Sequence, residues 1–456
     1  MQKFLFLTGS VLLGIITFAQ NADNKTAIPG AQEDKNVETA EEIIQFSSFQ
    51  EVLEYANANA ISIQNATSGE EIALLEKKES RSYLLPSLNT SVGYIDNIDL
   101  QPALLPAQII NPGAPEGTFE ELTFGTKYSA SWSLQAQWDV LDFQRIFAVQ
   151  TSSIAVDQSK ANTDLNRYST YNLIASTYYS ILLTQESIDI YEENVRVSGS
   201  IFKNANEKYL KGIISEAELN RAEIKNLQNQ MILDRARSNL DQLYIQLQSQ
   251  LNTSEHIIIT DAPENLGLEN TTFQNPHPEI TWQELEVEKF ESILKQQKAI
   301  RLPSVSLVYQ NNHTWAWNDF MDFGNAYKLP QQSFGIKLTM PLVNFSIRQE
   351  VTQTKLNLQM NQEQLKNTRL VKTKEDELLK LQLNQASELL KQNTEVLSLQ
   401  IQNDAHTENI YLSGIMSLDE RLDKYDDLLA AQNNYLESLA ELTLAQYKAY
   451  IRQINY

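Results

Sequence analysis

Three acidic side chains near the end of the 456-residue chain have the spacing of a charged helical stripe. Glu420, Asp423 and Asp427 occupy positions i, i+3 and i+7, which lie on one face of an α-helix. Carboxylates held close together raise one another's pKa and attract cations. By itself, this spacing predicts an acidic helix face that attracts cations, most simply the solvated face of a single helix.

No residue pattern of an enzyme accompanies this stripe. The sequence contains no H-E-x-x-H, G-x-S-x-G, P-loop or G-x-G-x-x-G motif, and its four histidines lie far apart. The absence of Cys excludes disulfides, thiolate metal sites and Cys nucleophiles. The formal net charge of −22 argues against non-specific nucleic-acid binding, which needs a surplus of Lys and Arg. We expect no catalytic residue, no cofactor, no metal ion and no nucleic-acid partner.

The first residues of the chain predict export. Residues 1–19 combine the basic Lys3, an apolar run and the small residue Ala19, as a cleavable signal peptide does. A retained anchor helix is the alternative, but the apolar run is short for a membrane span. Residues 20–45 are acidic and rich in turn formers, which predicts a flexible leader.

The rest of the chain repeats itself. The turn Tyr209-Leu210-Lys211-Gly212 returns as Tyr411-Leu412-Ser413-Gly414, and W-D-V-L-D-F at 138–143 returns as M-P-L-V-N-F at 340–345. Both pairs are offset by the same number of residues, 411 − 209 = 202 and 340 − 138 = 202. We therefore expect one structural repeat over 46–260, a linker over 261–278 and a second repeat over 279–456. Each repeat would contain a helix, two strands, a long helix and a return helix.

The two long helices are predicted over 144–210 and 346–411, in segments rich in Leu, Gln, Asn and Ala. At 1.5 Å per residue each would be about 100 Å long. Gly212 and Gly414 follow them at the position of helix-ending glycines. A helix of this length needs a partner along its side, so the helices should form an elongated bundle or coiled coil.

The strand predicted over 128–140 alternates between apolar and small polar side chains, over a length that can cross a bilayer. A half-buried soluble sheet alternates in the same way, but the export signal and the aromatic residues at both ends favour a membrane strand. A weaker alternation follows at 333–342. The lipid-facing side chains would be Tyr128, Trp132, Leu134, Trp138, Phe334, Ile336 and Leu338.

Four such strands cannot close a barrel, and open strand edges are not tolerated in lipid. Several chains must therefore share one barrel. Eight strands from two chains and twelve strands from three chains both satisfy this requirement, and only the larger barrel leaves a water-filled lumen.

The motifs resemble those of the TolC-type outer-membrane efflux proteins over residues 46–455. The matching features are the opening Phe46-Ser-Ser-Phe-Gln-Glu-Val-Leu-Glu-Tyr-Ala56, the two strand starts at Pro86 and Pro303, the two strand ends and the two Y-x-x-G turns. The resemblance implies a mixed, mainly α fold. Three chains would share a 12-stranded transmembrane β-barrel, with four strands each, and an antiparallel α-helical barrel would reach into the periplasm.

The same resemblance implies a function. Proteins of this family are homotrimeric outer-membrane channels without catalytic activity. They join a periplasmic adaptor (membrane fusion) protein and an inner-membrane pump in tripartite efflux or type I secretion. The sequence also leaves open a soluble periplasmic coiled-coil scaffold or adaptor, although the duplication of the whole unit counts against that alternative.

Residue roles follow from the resemblance at the helix turns. It implies a periplasmic constriction at Glu420 and Asp423, to which the helical spacing adds Asp427. It implies a gate latch that includes Glu218 and Tyr411; the basic partner of this latch would fall at Met416, so nearby Arg421 is the candidate replacement. The adaptor would dock at turns that contain Lys208, Tyr209, Gly212, Tyr411 and Gly414.

Two segments between the strands are predicted to be loops. The insertion at 96–127 has four prolines and would be an extracellular loop. His313–Trp317 is expected in the loop between the last two strands, at the membrane edge or on the extracellular surface.

Overall fold

The computed structural model describes residues 43–261, 273 and 275–456. The predicted signal peptide, nearly all of the leader and most of the linker at 261–278 lie outside these residues. A strand unit contains Arg81–Phe143 and Ile300–Val343, and a helix unit contains the remaining described residues. The mainly helical fold class with four long strands is confirmed.

Seven helices are described. They are α1 Phe49–Asn59, α2 Ile61–Arg81, α3 Phe143–Leu210, α4 Glu216–Leu251, α5 Pro278–Ala299, α6 Phe345–Leu412 and α7 Leu418–Gln453. The prediction of two long helices is confirmed, because α3 and α6 each have 68 residues and would extend about 100 Å. The opening helix predicted from residue 46 is instead two helices, separated at Ala60, whose backbone is extended.

Helices α3 and α4 form one antiparallel hairpin, and α6 and α7 form a second. Gly212 (φ 69°) and Gly414 (φ 78°) end α3 and α6 in the left-handed conformation that favours glycine. In both turns the residue after the glycine donates a backbone hydrogen bond five residues back, Ile213 to Lys208 at 2.9 Å and Ile415 to Ile410 at 3.2 Å. These bonds satisfy the last carbonyls of each helix, so the Y-x-x-G motif is a local stop signal.

The helix unit has a hydrophobic core at the two turns. Its buried members come from both hairpins: Ile201, Ala205, Ala222, Tyr411, Leu418, Leu422, Tyr425 and Leu428. A second, larger core is rich in aromatic residues and includes Phe49, Tyr178, Tyr179 and Tyr447. The first core fixes the two turns side by side and thereby positions the candidate site residues.

The strand unit contains a four-stranded antiparallel sheet. Its strands are β2 Ser87–Asp96, β5 Tyr128–Leu141, β7 Ser304–Trp317 and β8 Tyr327–Thr339, in the order β2-β5-β7-β8. The sheet of one chain is open, because β2 and β8 pair on one side only.

The loop prediction for His313–Trp317 was wrong. These residues are not in a loop, since β7 continues through Trp317 and His313 pairs with Trp132 on one side and Pro330 on the other. The polar residues Asn311 to His313 hid the strand, because they interrupt its apolar alternation.

Two pairs of short strands were not predicted. β3 Pro102–Pro106 and β4 Phe119–Thr123 form an antiparallel hairpin inside the insertion at 96–127. β1 Ile43–Phe46, at the end of the segment predicted as a leader, pairs in parallel with β6 His256–Ile259. No helix among the described residues is both long and apolar enough to cross a membrane.

Candidate functional site

The two Y-x-x-G turns place equivalent tyrosines in different environments. Tyr209 is exposed, whereas Tyr411 is only 2% exposed and belongs to the core at the turns. The Lys208 Nζ atom lies 3.7 Å from the centroid of the Tyr411 ring, as in a cation–π contact. Burial raises the pKa of the Tyr411 hydroxyl and lowers the pKa of the Lys208 ammonium. The first turn therefore contributes a cation, and the second turn contributes the ring that receives it.

Glu218 and Glu420 have a structural role that the sequence analysis missed. The Glu218 Oε2 atom accepts hydrogen bonds from the Ser215 backbone N (2.8 Å) and Oγ (2.7 Å). The Glu420 Oε2 atom accepts the same pair from Ser417, both at 3.1 Å. These are capping boxes at the starts of α4 and α7, and their S-x-x-E signature was readable in the sequence. The Ser215 backbone hydrogen bond also lowers the pKa of Glu218.

Basic residues of α4 pair with Asp423 of the acidic stripe and with its neighbours Asp419 and Asp426. Arg221 Nη1 lies 2.6 Å from Asp419 Oδ1, and its Nη2 lies 3.8 Å from Asp423 Oδ1. Lys225 Nζ lies 2.5 Å from Asp426 Oδ1. These pairs join the first hairpin to the second. Sequence reasoning missed them, because the partners are about 200 residues apart.

The remaining stripe residue pairs within its own helix. The Asp427 Oδ2 atom lies 3.2 Å from Lys424 Nζ. Both side chains are exposed, so this ion pair stabilises α7 only weakly.

Arg421 is buried and pairs with Asp404 instead of Glu218. Its side chain is 1% exposed, and its Nη1 and Nη2 atoms lie 2.5 and 3.2 Å from the two Asp404 carboxylate oxygens. The guanidinium carbon lies 5.7 Å from the centroid of the Tyr425 ring. Arg421 thus ties α6 to α7 within the second hairpin.

A buried network of hydrogen bonds also links the two hairpins. The Tyr425 hydroxyl donates to the Asn194 carbonyl oxygen (2.9 Å) and accepts from Asn229 Nδ2 (3.0 Å). The Asn194 side chain donates to Gln432 Oε1 at 2.8 Å. Burial raises the pKa of Tyr425, which therefore remains a neutral donor. The network connects α3, α4 and α7 with satisfied hydrogen bonds, which favours one fixed arrangement.

The sheet register brings the seven lipid-facing candidates to one face. Directly paired residues of an antiparallel sheet share a face, and the pairs Trp132–His313, Trp138–Leu307 and Tyr309–Phe334 connect the even-numbered residues of β5 and β8 through odd-numbered residues of β7. Seven predicted residues therefore lie together: Tyr128, Trp132, Leu134, Trp138, Phe334, Ile336 and Leu338. On β2 the same face carries Leu88, Val92 and Tyr94.

The exposure of these residues differs. Phe334, Ile336 and Leu338 on the edge strand are about 70% exposed, at 70%, 71% and 68%. Tyr128 is only 6% exposed, because the rings of Tyr94 and Trp317 stack beside it. Tyr128 is therefore part of an aromatic cluster at one end of the face.

The opposite face of β5 is polar. It carries Ser129, Ser131, Ser133, Gln135, Gln137 and Asp139. The Ser91 and Ser133 hydroxyl groups are hydrogen-bonded to each other at 2.7 Å. The sheet therefore separates an apolar surface from one that water can wet.

No group of His, Cys, Asp and Glu residues in the described part of the chain could hold a metal ion. The histidines do not converge on the turns.

The comparisons with known proteins agree with this arrangement. The family model "Outer membrane efflux protein" matches residues 52–253. No curated protein matches the chain.

Several solved structures share the fold at low sequence identity. The outer-membrane channel OprN is 13% identical, has a TM-score of 0.70 and covers 89% of each chain. The Neisseria gonorrhoeae MtrE channel in its open state is 16% identical, has a TM-score of 0.66 and covers 94% of this chain and 98% of its own. The Campylobacter jejuni CmeC channel is 17% identical, has a TM-score of 0.61 and covers 94% of this chain and 92% of its own.

The resemblance to the TolC-type outer-membrane efflux proteins is thus supported by the family-model match over residues 52–253 and by a shared fold over about nine tenths of the chain.

Proposed function

We propose that three copies of this chain form a passive exit duct across the outer membrane, opened at its periplasmic end. The observation that carries this proposal is the open sheet, with one apolar face and one polar face. The duct would serve a tripartite efflux or type I secretion system, together with a periplasmic adaptor protein and an inner-membrane pump. Residues 46–260 and 279–456 would be two copies of one ancestral unit.

The open edges support a shared barrel. Strands β2 and β8 run in opposite directions, since each neighbour in the order β2-β5-β7-β8 is antiparallel. The β2 edge of one copy can therefore continue antiparallel onto the β8 edge of the next copy, with all apolar faces outward. Twelve strands would leave a lumen lined by Ser and Gln, whereas eight strands would be filled by their own side chains.

The length of β5 fits the outer membrane. From Tyr128 to Trp138 there are ten steps, about 34 Å along the strand at about 3.4 Å per residue. A tilt of about 40° reduces this to about 26 Å of membrane thickness, close to the apolar band of outer-membrane barrels.

Exposed apolar side chains on α6 support a helical wall made by several copies. Large apolar residues along this helix are more than half exposed in one chain, and they include Leu356, Met360, Leu370, Leu381 and Leu399. Burying each such side chain contributes about 1.5–3 kcal/mol, so a neighbouring copy would cover them favourably.

The gate would lie at the turns. Glu420, Asp423 and Asp427 would form the constriction, and the ion pairs of Arg221 and Lys225 would hold the acidic hairpin closed. Among the latch residues, Tyr411 would contribute its cation–π contact with Lys208, and Arg421 its ion pair with Asp404. Glu218 would cap the start of its own helix.

The adaptor would dock on the outer surface of the two turns. Beside Lys208, Tyr209, Gly212 and Gly414, both turns expose large apolar side chains at equivalent positions. These are Leu210 and Ile213 in the first turn and Leu412 and Ile415 in the second turn.

Purification from outer membranes in mild detergent tests the proposal. We expect a particle with three times the mass of the processed chain, which is smaller than the 52.0 kDa of the full sequence, and stable single-channel conductance in planar bilayers. Recovery of a monomer from the soluble periplasm would instead support the scaffold or adaptor alternative.

A further inference from the structure

The hairpin between β2 and β5 exposes an apolar face that one chain does not cover. We define the rim hairpin as residues 97–127, which include β3 and β4. These two strands form a sheet of their own. This mainly apolar face carries Leu104 and Phe119, which are 69% and 61% exposed, next to Pro102 and Pro106. Its polar members are Glu121, opposite Leu104, and Thr123, opposite Pro102. An isolated two-stranded ribbon is marginally stable in water, so this face needs a partner.

A second exposed apolar segment lies at the same end of the sheet. We define the rim loop as residues 318–326, between β7 and β8. Phe320 and Met321 in this loop are 60% and 74% exposed, and Tyr327 at the start of β8 is 70% exposed. The rim hairpin follows the end of the edge strand β2, and the rim loop precedes the start of the edge strand β8. Both points lie at this end of the sheet, so the two segments would lie on the same side of the membrane.

The shared barrel brings these two segments from different copies together. Where β2 of one copy meets β8 of the next copy, the chain leaving β2 is the rim hairpin and the chain entering β8 is the rim loop. Within one chain the two segments meet only where β5 pairs with β7, at a hydrogen bond from the Lys127 backbone N to Asn318 Oδ1 (3.1 Å). This contact leaves Leu104, Phe119 and Met321 exposed. A neighbouring copy is therefore the occupant that geometry places beside each exposed surface.

The charges at this seam are complementary. Asp96 is the last residue of β2 and pairs with Tyr128, and Lys328 is the second residue of β8 and pairs with Trp315. The register puts both on the apolar face, at the same end of the sheet. Opposite charges on the two edge strands favour β2 pairing with β8 over either edge pairing with itself.

From these observations we infer that the rim hairpin of each copy packs on the rim loop of the next copy and locks the extracellular end of each seam between copies. Leu104 and Phe119 would supply the hairpin side of the contact, and Phe320 and Met321 the loop side. The inference rests on the shared barrel proposed above. It places the rim hairpin against a second copy of this chain and not in the lumen of the barrel.

Cysteine cross-linking tests the contact directly, because the natural chain has no Cys. Copies with Leu104→Cys and copies with Phe320→Cys are expressed together with different affinity tags and treated with a short bis-maleimide in the intact outer membrane. We expect a covalent product of two chains that carries both tags. The matched control replaces Leu104→Cys by Ala103→Cys, whose side chain is on the other face of the hairpin, and it should give much less product.

Two outcomes overturn the inference while leaving the shared barrel intact. One is a trimer in detergent without the two-tag product. The other is a chain with both substitutions that cross-links only within itself, as shown by peptide mapping. A particle that is monomeric in detergent would instead reject the shared barrel.

Stability of the trimer gives a second readout. The pair Leu104→Ser and Phe119→Ser should lower the temperature at which the detergent-solubilised trimer dissociates by several degrees. The pair Gln101→Ser and Glu116→Ser, on exposed polar positions of the same hairpin, should leave it unchanged. Equal dissociation temperatures for the two pairs would contradict the packing.

Discussion

Arg421 and Asp404 form a bidentate ion pair across the turn between α6 and α7, with both guanidinium Nη atoms within 3.2 Å of the carboxylate and the Arg421 side chain 1% exposed. A buried charge that loses its partner is strongly destabilising. The stability of the second hairpin therefore depends on the Asp404 carboxylate, which no local sequence motif identifies.

Asp404→Ala should lower the stability of the helix unit by about 3 kcal/mol, because it leaves the guanidinium buried and unpaired. The shift of the thermal unfolding midpoint measures this effect. The matched control is Asp426→Ala. It removes the ion pair between the exposed Asp426 carboxylate and Lys225 Nζ, which are 2.5 Å apart, and should lower the stability by at most about 1 kcal/mol. Similar shifts for the two variants would contradict the structural role of the Arg421–Asp404 pair.

Arg221→Ala should ease opening of the proposed gate, because it frees Asp419 and Asp423 from the first hairpin. Two exposed ion pairs contribute about 0.5 kcal/mol each, so the open fraction in single-channel recordings should rise about fivefold. The matched control, Arg237→Ala, removes a similar 2.7 Å pair with Glu192 inside the first hairpin and should leave gating unchanged. An effect of equal size in the control would show that Arg221 does not act between hairpins.

Asp423→Asn together with Glu420→Gln should weaken cation selectivity and block by multivalent cations, since six ring charges would be removed from a trimer. Gln at position 420 preserves the capping box, so α7 keeps its start. Reversal potentials in a salt gradient measure the selectivity. Asp234→Asn on α4, away from the turns, is the control, and selectivity that matched the control would place the constriction elsewhere.

A charge on the apolar face of β5 should impair assembly more than a charge on its polar face. Trp132→Asp or Leu134→Asp would place a carboxylate in lipid, whereas Ser131→Asp or Ser133→Asp would place it in the lumen. The amount of trimer recovered from outer membranes measures assembly. Equal losses on both faces would contradict the assignment of outside and inside.

His277 should make the helix unit sensitive to acid. Its Nδ1 atom accepts a hydrogen bond from the Glu279 backbone N at 3.1 Å, as an N-cap of α5 must, and the Tyr168 ring packs edge-on against the imidazole. Burial, together with nearby Lys372 and Arg452, lowers the pKa of His277 to about 4, although Glu279 and Asp376 oppose this shift.

Because the folded protein disfavours the protonated imidazole, this contribution to stability is complete above about pH 6.5 and is lost as the pH falls towards 4. The loss should reach about 3 kcal/mol. His277→Asn retains a capping side chain without a titrating group, so its unfolding midpoint should depend less on pH in this range. Identical pH profiles for the two proteins would show that His277 does not titrate as expected.

Local features of the sequence predicted the helices and the apolar face of the sheet. Helix stops at Gly212 and Gly414 depend on backbone conformation within one turn, and the alternation of 128–140 depends only on the two-residue period of a strand. The same local reasoning failed at His313, where polar residues in mid-strand broke the period, and between residues 97 and 127, where prolines masked a short hairpin.

Only the tertiary structure decided which side chains meet. Tyr209 and Tyr411 belong to the same motif, yet one is exposed and the other is buried, because the second turn is covered by the first. Arg421 was a candidate for the Glu218 latch and pairs with Asp404 instead. Arg221 of the first hairpin meets Asp419 and Asp423 of the second. Sequence periodicity fixes the face of an element on which a residue lies, but the packing of distant elements determines its partner.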